Sequence, residues 1–219
     1  YGDWSSDVCS SDLESYGMVD EPQIGTTLQK AVDFLIASQK QNPTGAWRYQ
    51  AEAKDADTTV TGAQMVGLLA ARNAGILVPD DVIEKGLKFY KSCQDASGGI
   101  GYLSAGGPNS TRTAIGMLVY TLARQKDTPF YRNASGYFKK TPSDQGGGHP
   151  FYHEYYAAQA AFHSDEGTWQ TWNAANIRRM LRMQDTDGSW NAGMGTTFST
   201  ASALLSMALN YRYLPIYER

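Results

Sequence analysis

Two aspartates that lie close together are the first candidates for chemistry in this chain of 219 residues. Asp55 and Asp57 stand in the run Asp-Ala-Asp-Thr-Thr, directly before an apolar segment with helical periodicity. A carboxyl group serves as an acid when it keeps its proton in an apolar cavity beside a hydrogen-bonded neighbour. Aspartate is also a preferred N-cap of a helix, where its oxygens accept backbone N–H groups. The residues leave both interpretations of Asp57 open.

A dense aromatic group forms the second candidate site. The chain has 14 tyrosines, and Tyr152, Tyr155 and Tyr156 stand together beside His153. Aromatic faces stabilise cations, and this makes the four residues candidates for substrate binding. Tyrosines at helical interfaces also serve as ordinary core, which is the alternative.

A zinc site is the remaining chemistry that this region suggests. His149 and His153 lie four residues apart, the spacing that places two imidazoles on one helical face, and Glu154 follows. Pro150 lies between the two histidines and places His149 before the helix. Without a matched third ligand, we expect no metal.

The elements that position these residues recur along the chain. Residues 94–100 (QDASGGI) match residues 184–190 (QDTDGSW), and a third copy runs from Leu28 through Gln39 to Trp47. A degenerate copy spans Tyr137 to Phe162 and keeps glycines at 146–148, with His149 in place of the apolar anchor. The anchors Trp47, Ile100 and Trp190 are separated by 53 residues and then by 90 across two repeats, which gives a repeat near 45, the length of a helical hairpin.

Each repeat contains an outer and an inner helix. Helical periodicity precedes each glutamine, in Leu28 to Gln39, Ile83 to Ser92 and Ile177 to Met183, and these helices carry the lysines and arginines. The segments after each anchor are rich in small residues, which allow crowded helices to approach closely; they are Thr61 to Ala71, Thr113 to Ala123, Tyr155 to Phe162 and Thr200 to Leu209. We expect each glutamine to bond exposed backbone at a helix end, with the indole packed over it, as a staple between neighbouring repeats.

Endings of the form Q-x-x-x-G-x-W at this period resemble the repeats of squalene and hopene cyclases. The wider resemblance is to bacterial prenyltransferase and squalene-oxidase repeat proteins, supported by the block Asp57 to Pro79 and the ending Tyr211 to Arg219, and it covers residues 25–219. It implies an all-α fold, an α/α toroid in which about four helical hairpins make an incomplete α6/α6-type barrel.

The resemblance also implies a reaction. Class II terpene cyclases carry a D-x-D-D-T-A motif whose middle aspartate protonates an alkene or epoxide. Asp55 matches the first acid and Asp57 the proton donor, whereas Thr58 replaces the third acid and Val60 the alanine. The function so implied is an isoprenoid cyclase without a cofactor, acting on a long apolar ligand. The alternative is a non-catalytic toroid that binds a protein or glycan partner.

Composition limits the remaining classes of function. A net charge of -3, with both signs scattered, offers no basic field for nucleic acid. The longest apolar run, near Met65 to Ala71, is far shorter than the roughly 20 residues of a membrane span, so a membrane partner would be peripheral. The two cysteines, Cys9 and Cys93, form no disulfide framework, and the zinc ligands of protein prenyltransferases have no counterpart.

The first residues differ in character from the rest. Asp7 to Leu13 (DVCSSDL) looks like translated sequencing adapter, so we interpret residues 1–13 as non-native and residues 14–219 as one toroid domain. On this interpretation the natural N-terminus and any signal peptide are lost, and a bacterial cytoplasm or periplasm both fit. We expect the missing repeats to leave an apolar N-terminal edge through which the chain associates.

Overall fold

Eight α-helices make up the described part of the chain. The structure is a computed structural model and describes residues 22–143 and 149–211. The adapter-like residues 1–13, Cys9, the glycines at 146–148 and residues 212–219 lie outside the described residues. The helices are α1 (Pro22–Gln41), α2 (Thr58–Asn73), α3 (Asp80–Ser92), α4 (Ser110–Leu122), α5 (Pro129–Lys140), α6 (Pro150–Phe162), α7 (Glu166–Met183) and α8 (Thr196–Ala208).

The helices alternate between two layers, as the repeats predict. Helices α2, α4, α6 and α8 contact one another in that order and form the inner layer. The outer helices α1, α3, α5 and α7 pack on them, and α7 contacts both α6 and α8. In α2 nearly every residue from Thr58 to Ala71 is buried, because the small side chains let neighbouring helices close around it. The core therefore consists of the inner helices together with the faces of the outer helices that pack on them.

The inner helices begin earlier than predicted. Helices α2 and α4 start at Thr58 and Ser110 because Asp57 and Asn109 cap their first turns, and α6 and α8 likewise start at Pro150 and Thr196. The threonines predicted to open three of these helices instead lie within the first turns. There the hydroxyls of Thr61, Thr113 and Thr200 accept the backbone N–H of the anchors Trp47, Ile100 and Trp190, at 3.1, 3.0 and 3.1 Å. Each inner helix is thereby fastened to its own anchor.

The glutamine hydrogen bond of the predicted staple is present in two copies. The amide of Gln39 donates to the carbonyl of Val82 in the first turn of α3 at 2.8 Å, and that of Gln94 donates to Phe130 in the first turn of α5 at 2.9 Å. The indole of Trp47 donates to a carbonyl of the preceding outer helix at 2.9 Å, as does that of Trp190. A buried polar link of this kind sets the register between neighbouring hairpins.

The degenerate repeat needs a correction. Its outer helix α5 begins at Pro129 rather than near Tyr137, because Thr128 caps it and proline suits the first helical turn.

The glycine turns behave as predicted: Gly98 and Gly188 adopt φ values of 89° and 87°, which L-residues rarely reach. Among the described helices, none combines the length and apolar character needed to cross a bilayer.

Candidate active site

Asp57 lies at the N-terminus of the inner helix α2, with its side chain completely buried. Its Oδ1 atom accepts hydrogen bonds from the backbone N–H groups of Thr59 and Val60, at 2.8 and 2.9 Å, and from the Thr59 hydroxyl at 2.5 Å. The predicted N-cap is therefore confirmed. In every one of these contacts the carboxyl group is the acceptor.

Arg48 completes the surroundings of both aspartates. Its guanidinium donates to Oδ2 of Asp57 at 3.2 Å, and its Nε lies 3.5 Å from Oδ2 of Asp55. The arginine thus pairs with both acids, and Asp55 is 65% exposed while Asp57 is buried. Partial burial opposes the charge of Arg48, but Tyr102 and the two aspartates outweigh it and raise the pKa of the guanidinium.

Two tyrosine rings hold the arginine in place. The guanidinium carbon of Arg48 lies 5.5 Å from the ring centre of Tyr49 and 5.3 Å from that of Tyr102, and the two hydroxyls are 3.2 Å apart. The guanidinium carbon of Arg112, in the first turn of α4, also lies over the Tyr102 ring, 5.8 Å from its centre. Burial, with the hydrogen bond to Tyr49, raises the pKa of Tyr102. The result is a cationic and aromatic rim over the first turns of α2 and α4.

The loop before α4 closes this rim against α2. The backbone N–H of Thr58 donates to the carbonyl of Tyr102 at 3.0 Å, and the Thr58 hydroxyl donates to the carbonyl of Gly101 at 2.7 Å. A side chain at Gly101 would meet backbone oxygens of the same loop, so the close turn depends on glycine there. Asp57 therefore lies under a loop as well as at a helix end.

The predicted aromatic group is split between core and partly open positions. Tyr156 is buried, and its ring centre lies 5.1 Å from Tyr152 and 4.9 Å from Tyr155, both edge to face. Tyr152 also stacks on Phe198 of α8 at 6.5 Å. Edge-to-face contacts at these distances are those of well-packed aromatic rings. Tyr152 and Tyr155 are only half-buried and pack against the core from its edge.

His153 is a buried residue that joins two inner helices. Its Nδ1 atom lies 3.2 Å from the hydroxyl of Thr111 on α4, and its Nε2 lies 3.3 Å from the carbonyl of Pro142. His149 is exposed and stands before the helix, as predicted, and Glu154 is paired with Arg179 at 2.6 Å. The described residues include no group of three or more side chains able to hold a metal ion.

Tyr90 is a further residue at the first turn of α2, and no sequence motif pointed to it. It comes from the outer helix α3, is fully buried, and donates its hydroxyl hydrogen to the carbonyl of Thr58. Burial first, and then the nearby Tyr152 and Asp57, raise the pKa of Tyr90 well above its usual range. Its ring also packs edge to face on that of Tyr120 of α4, with 6.2 Å between the ring centres. The only sequence signal for it is an aromatic residue on the apolar face of α3.

Comparisons with known proteins establish the fold. No protein-family model and no curated protein matches the chain. One similar solved structure is that of an Asp-to-Asn variant of the type II terpene cyclase MstE from Scytonema, in complex with its substrate geranylgeranyl dihydroxybenzoate. The superposition has a TM-score of 0.69 at 16% identity and covers 97% of this chain and 64% of that chain. The predicted all-α toroid is confirmed, and the chain has a terpene cyclase-like fold.

Proposed function

We propose that this chain binds a linear isoprenoid along its inner helices and acts on it as a class II terpene cyclase-like enzyme, with Asp57 as the proton donor. One observation carries the proposal: Asp57 is a fully buried acid at the start of an inner helix. It occupies that position in a fold that matches, over 97% of this chain, a cyclase solved with a prenylated substrate.

The chemistry that this acid would supply is an isomerisation. Asp57 would donate its proton to one carbon of the terminal alkene, and the π electrons of the next double bond would attack the carbocation formed at the other carbon. Loss of a proton to a base would end the sequence, so the product has the atoms of the substrate and no co-reactant is needed. The half-buried faces of Tyr152 and Tyr155 would stabilise the cation.

The contacts of Asp57 set one condition on this chemistry. Arg48 occupies Oδ2 of Asp57, the oxygen that the first turn of α2 leaves available, so the arginine must withdraw before this oxygen can deliver a proton to a substrate. The exposed Asp55 offers Arg48 a second carboxylate, since Nε of Arg48 already lies 3.5 Å from Oδ2 of Asp55. A bound isoprenoid that displaces Arg48 toward Asp55 would leave Oδ2 of Asp57 without its arginine partner, while Oδ1 keeps the donors of the first turn. Asp55 is in this scheme the residue that positions the arginine.

A second function is favoured by the same contacts. If Arg48 stays on Asp57, the carboxylate is a structural cap and the toroid is non-catalytic. The rim of Arg48, Tyr49, Tyr102 and Arg112 would then be the surface for a protein or glycan partner, because tyrosine and arginine are the residues that dominate binding energy at interfaces.

An Asp57→Asn variant tests the proposal sharply. Asparagine keeps an oxygen for the two backbone N–H groups of the cap but carries no acidic proton. Wild type and variant are incubated with squalene and with linear isoprenoids that include geranylgeranyl derivatives, and products are identified by mass spectrometry. Asp165→Asn is the matched control, because Asp165 caps the outer helix α7 in the same way.

The expected result is a cyclised product from wild type and from Asp165→Asn, and none from Asp57→Asn, with ligand binding retained in all three. An Arg48→Met variant should turn over faster if the arginine restrains the acid. Binding without cyclisation by any of the proteins would exclude Asp57 as an acid while keeping the isoprenoid site. If no protein binds or converts any isoprenoid, the second function applies, in which the toroid is non-catalytic and its rim binds a partner.

A further inference from the structure

Thr58, the first residue of α2, is bound on all its polar groups by the second repeat, which consists of α3, α4 and the loop between them. Its backbone N–H donates to the carbonyl of Tyr102 at 3.0 Å, and its hydroxyl donates to the carbonyl of Gly101 at 2.7 Å. Its carbonyl accepts the hydroxyl hydrogen of Tyr90, which comes from the outer helix α3. Thr58 is fully buried and directly follows Asp57. The turn that carries the candidate acid is therefore held from outside its own repeat.

Tyr90 reaches this turn through a gap between two inner helices. Gly62 of α2 lines the gap on one side, and a Cβ there would lie 2.5 Å from the hydroxyl oxygen of Tyr90. Gly116 of α4 lines the other side, where a Cβ would lie 3.3 Å from two carbon atoms of the Tyr90 ring. Both distances are shorter than ordinary contacts in a close-packed core, so the two glycines make the room for the phenol. A side chain of the outer layer thereby reaches the backbone of an inner helix.

The hydroxyl of Tyr90 differs from that of its neighbour Tyr120. Both tyrosines are fully buried, and their rings pack edge to face with 6.2 Å between the ring centres. The hydroxyl of Tyr120 has no hydrogen-bond partner among the described residues, whereas that of Tyr90 donates to the carbonyl of Thr58. Because a buried hydroxyl contributes to stability only where it is bonded, the two residues form a natural comparison. Of these two hydroxyls, that of Tyr90 is the one tied to the turn of the acid.

The same turn orients the carboxyl group of Asp57. The backbone N–H groups of Thr59 and Val60, the two residues after Thr58, donate to Oδ1 at 2.8 and 2.9 Å. Oδ2 is left to Arg48, at 3.2 Å. Because successive peptide units are planar and covalently linked, a shift of the Thr58 carbonyl moves both N–H groups and the carboxyl group that they hold. Misplacing a reacting group by about 1 Å can lower a rate about 100-fold.

On the premise of the proposed function, in which Asp57 is the proton donor, we propose that Tyr90 is a positioning residue of the site. Its hydroxyl, which reaches α2 between Gly62 and Gly116, fixes the turn whose N–H groups set the direction of the carboxyl group. Tyr90 acts only through the backbone of Thr58, because it is itself fully buried. Removing its hydroxyl therefore slows the chemical step and leaves substrate binding unchanged.

The Tyr90→Phe variant tests this role, with Tyr120→Phe as the matched control. Each variant removes one buried hydroxyl and keeps the ring. Steady-state kinetics with linear geranylgeranyl derivatives should show that kcat falls about tenfold or more in Tyr90→Phe, while KM stays within about twofold of wild type. Tyr120→Phe should match wild type in both constants. An unchanged kcat in Tyr90→Phe, with or without a higher KM, would overturn the proposal.

Amide hydrogen exchange followed by NMR tests the same role without a substrate. The N–H groups of Thr59 and Val60 should exchange roughly tenfold faster in Tyr90→Phe than in wild type, the effect of one lost buried hydrogen bond. The N–H of Arg112, which Asn109 caps at the start of α4, is the internal reference and should not change.

Equal acceleration at all three N–H groups would indicate a general loss of stability, and exchange equal to wild type would show that the turn does not depend on Tyr90. Either result would overturn the proposal. If the wild type converts no isoprenoid, the proposed function fails, and the exchange pattern still decides whether the Tyr90 hydroxyl fixes the turn of Asp57.

Discussion

Replacing Asp57 measures how much the buried carboxyl group stabilises the inner layer. In Asp57→Ala the first turn of α2 loses its cap, which costs roughly 0.5 to 2 kcal/mol. The backbone N–H groups of Thr59 and Val60 lie under the loop before α4, and leaving buried donors unsatisfied adds about 1 kcal/mol or more. The ion pair with Arg48 is lost as well. We expect a decrease of about 2 to 4 kcal/mol in the free energy of unfolding.

The Asp57→Asn variant separates the cap from the charge. The side-chain oxygen of the asparagine can still accept from the same two N–H groups. Arg48 keeps its ion pair with Asp55 and its contact with solvent, because its side chain is 24% exposed. The loss should therefore be about 1 kcal/mol, well below that of a fully buried ion pair. Urea unfolding followed by far-UV circular dichroism measures both values. Equal losses in the two variants would refute the reasoning, because the cap would then contribute nothing beyond the charge.

Three further predictions follow from contacts in the turns and caps. Gly98→Ala should cost more than Gly75→Ala in thermal unfolding, because both glycines have positive φ but a Cβ at Gly98 meets a backbone carbonyl of α5 at 2.3 Å while Gly75 is open. In the same assay Gln94→Leu should destabilise by about 1 to 2 kcal/mol and Gln184→Leu by less, since only the former amide reaches a first-turn carbonyl of a following helix. Hydrogen bonds from the first turn of α7, and then a lysine of α5, lower the pKa of Asp165 in the folded chain. The carboxylate of Asp165 therefore stabilises the fold above its unfolded pKa near 4, and this stabilisation is lost as the pH falls. The stability difference between wild type and Asp165→Asn should shrink in urea titrations at acid pH, and a constant difference would contradict this.

Much of the candidate site rests on contacts that no local pattern contains. Asp57 was identifiable because a cap residue and its helix are adjacent in sequence. Arg48 stands only one residue after the anchor Trp47, yet its pairing with Asp57 depends on how residues 49–56 loop back. Tyr102 and Tyr90 come from the next repeat, and their approach to α2 is a consequence of hairpin packing. Sequence spacing could not place them beside the acid.

The repeats, the alternation of outer and inner helices and the glycine turns were all determined by the sequence alone, because each depends on neighbours within one hairpin. Helix starts were less accurate, since the threonines in the first turns of the inner helices act as partners of the anchors. What only the tertiary structure decided is the surroundings of the candidate acid and the depth of each helix: Asp57 is enclosed by Arg48 and the loop before α4, and α8 has four buried residues where α4 and α6 have ten. Both depend on which hairpins lie side by side, and that is a property of packing between repeats rather than of any segment.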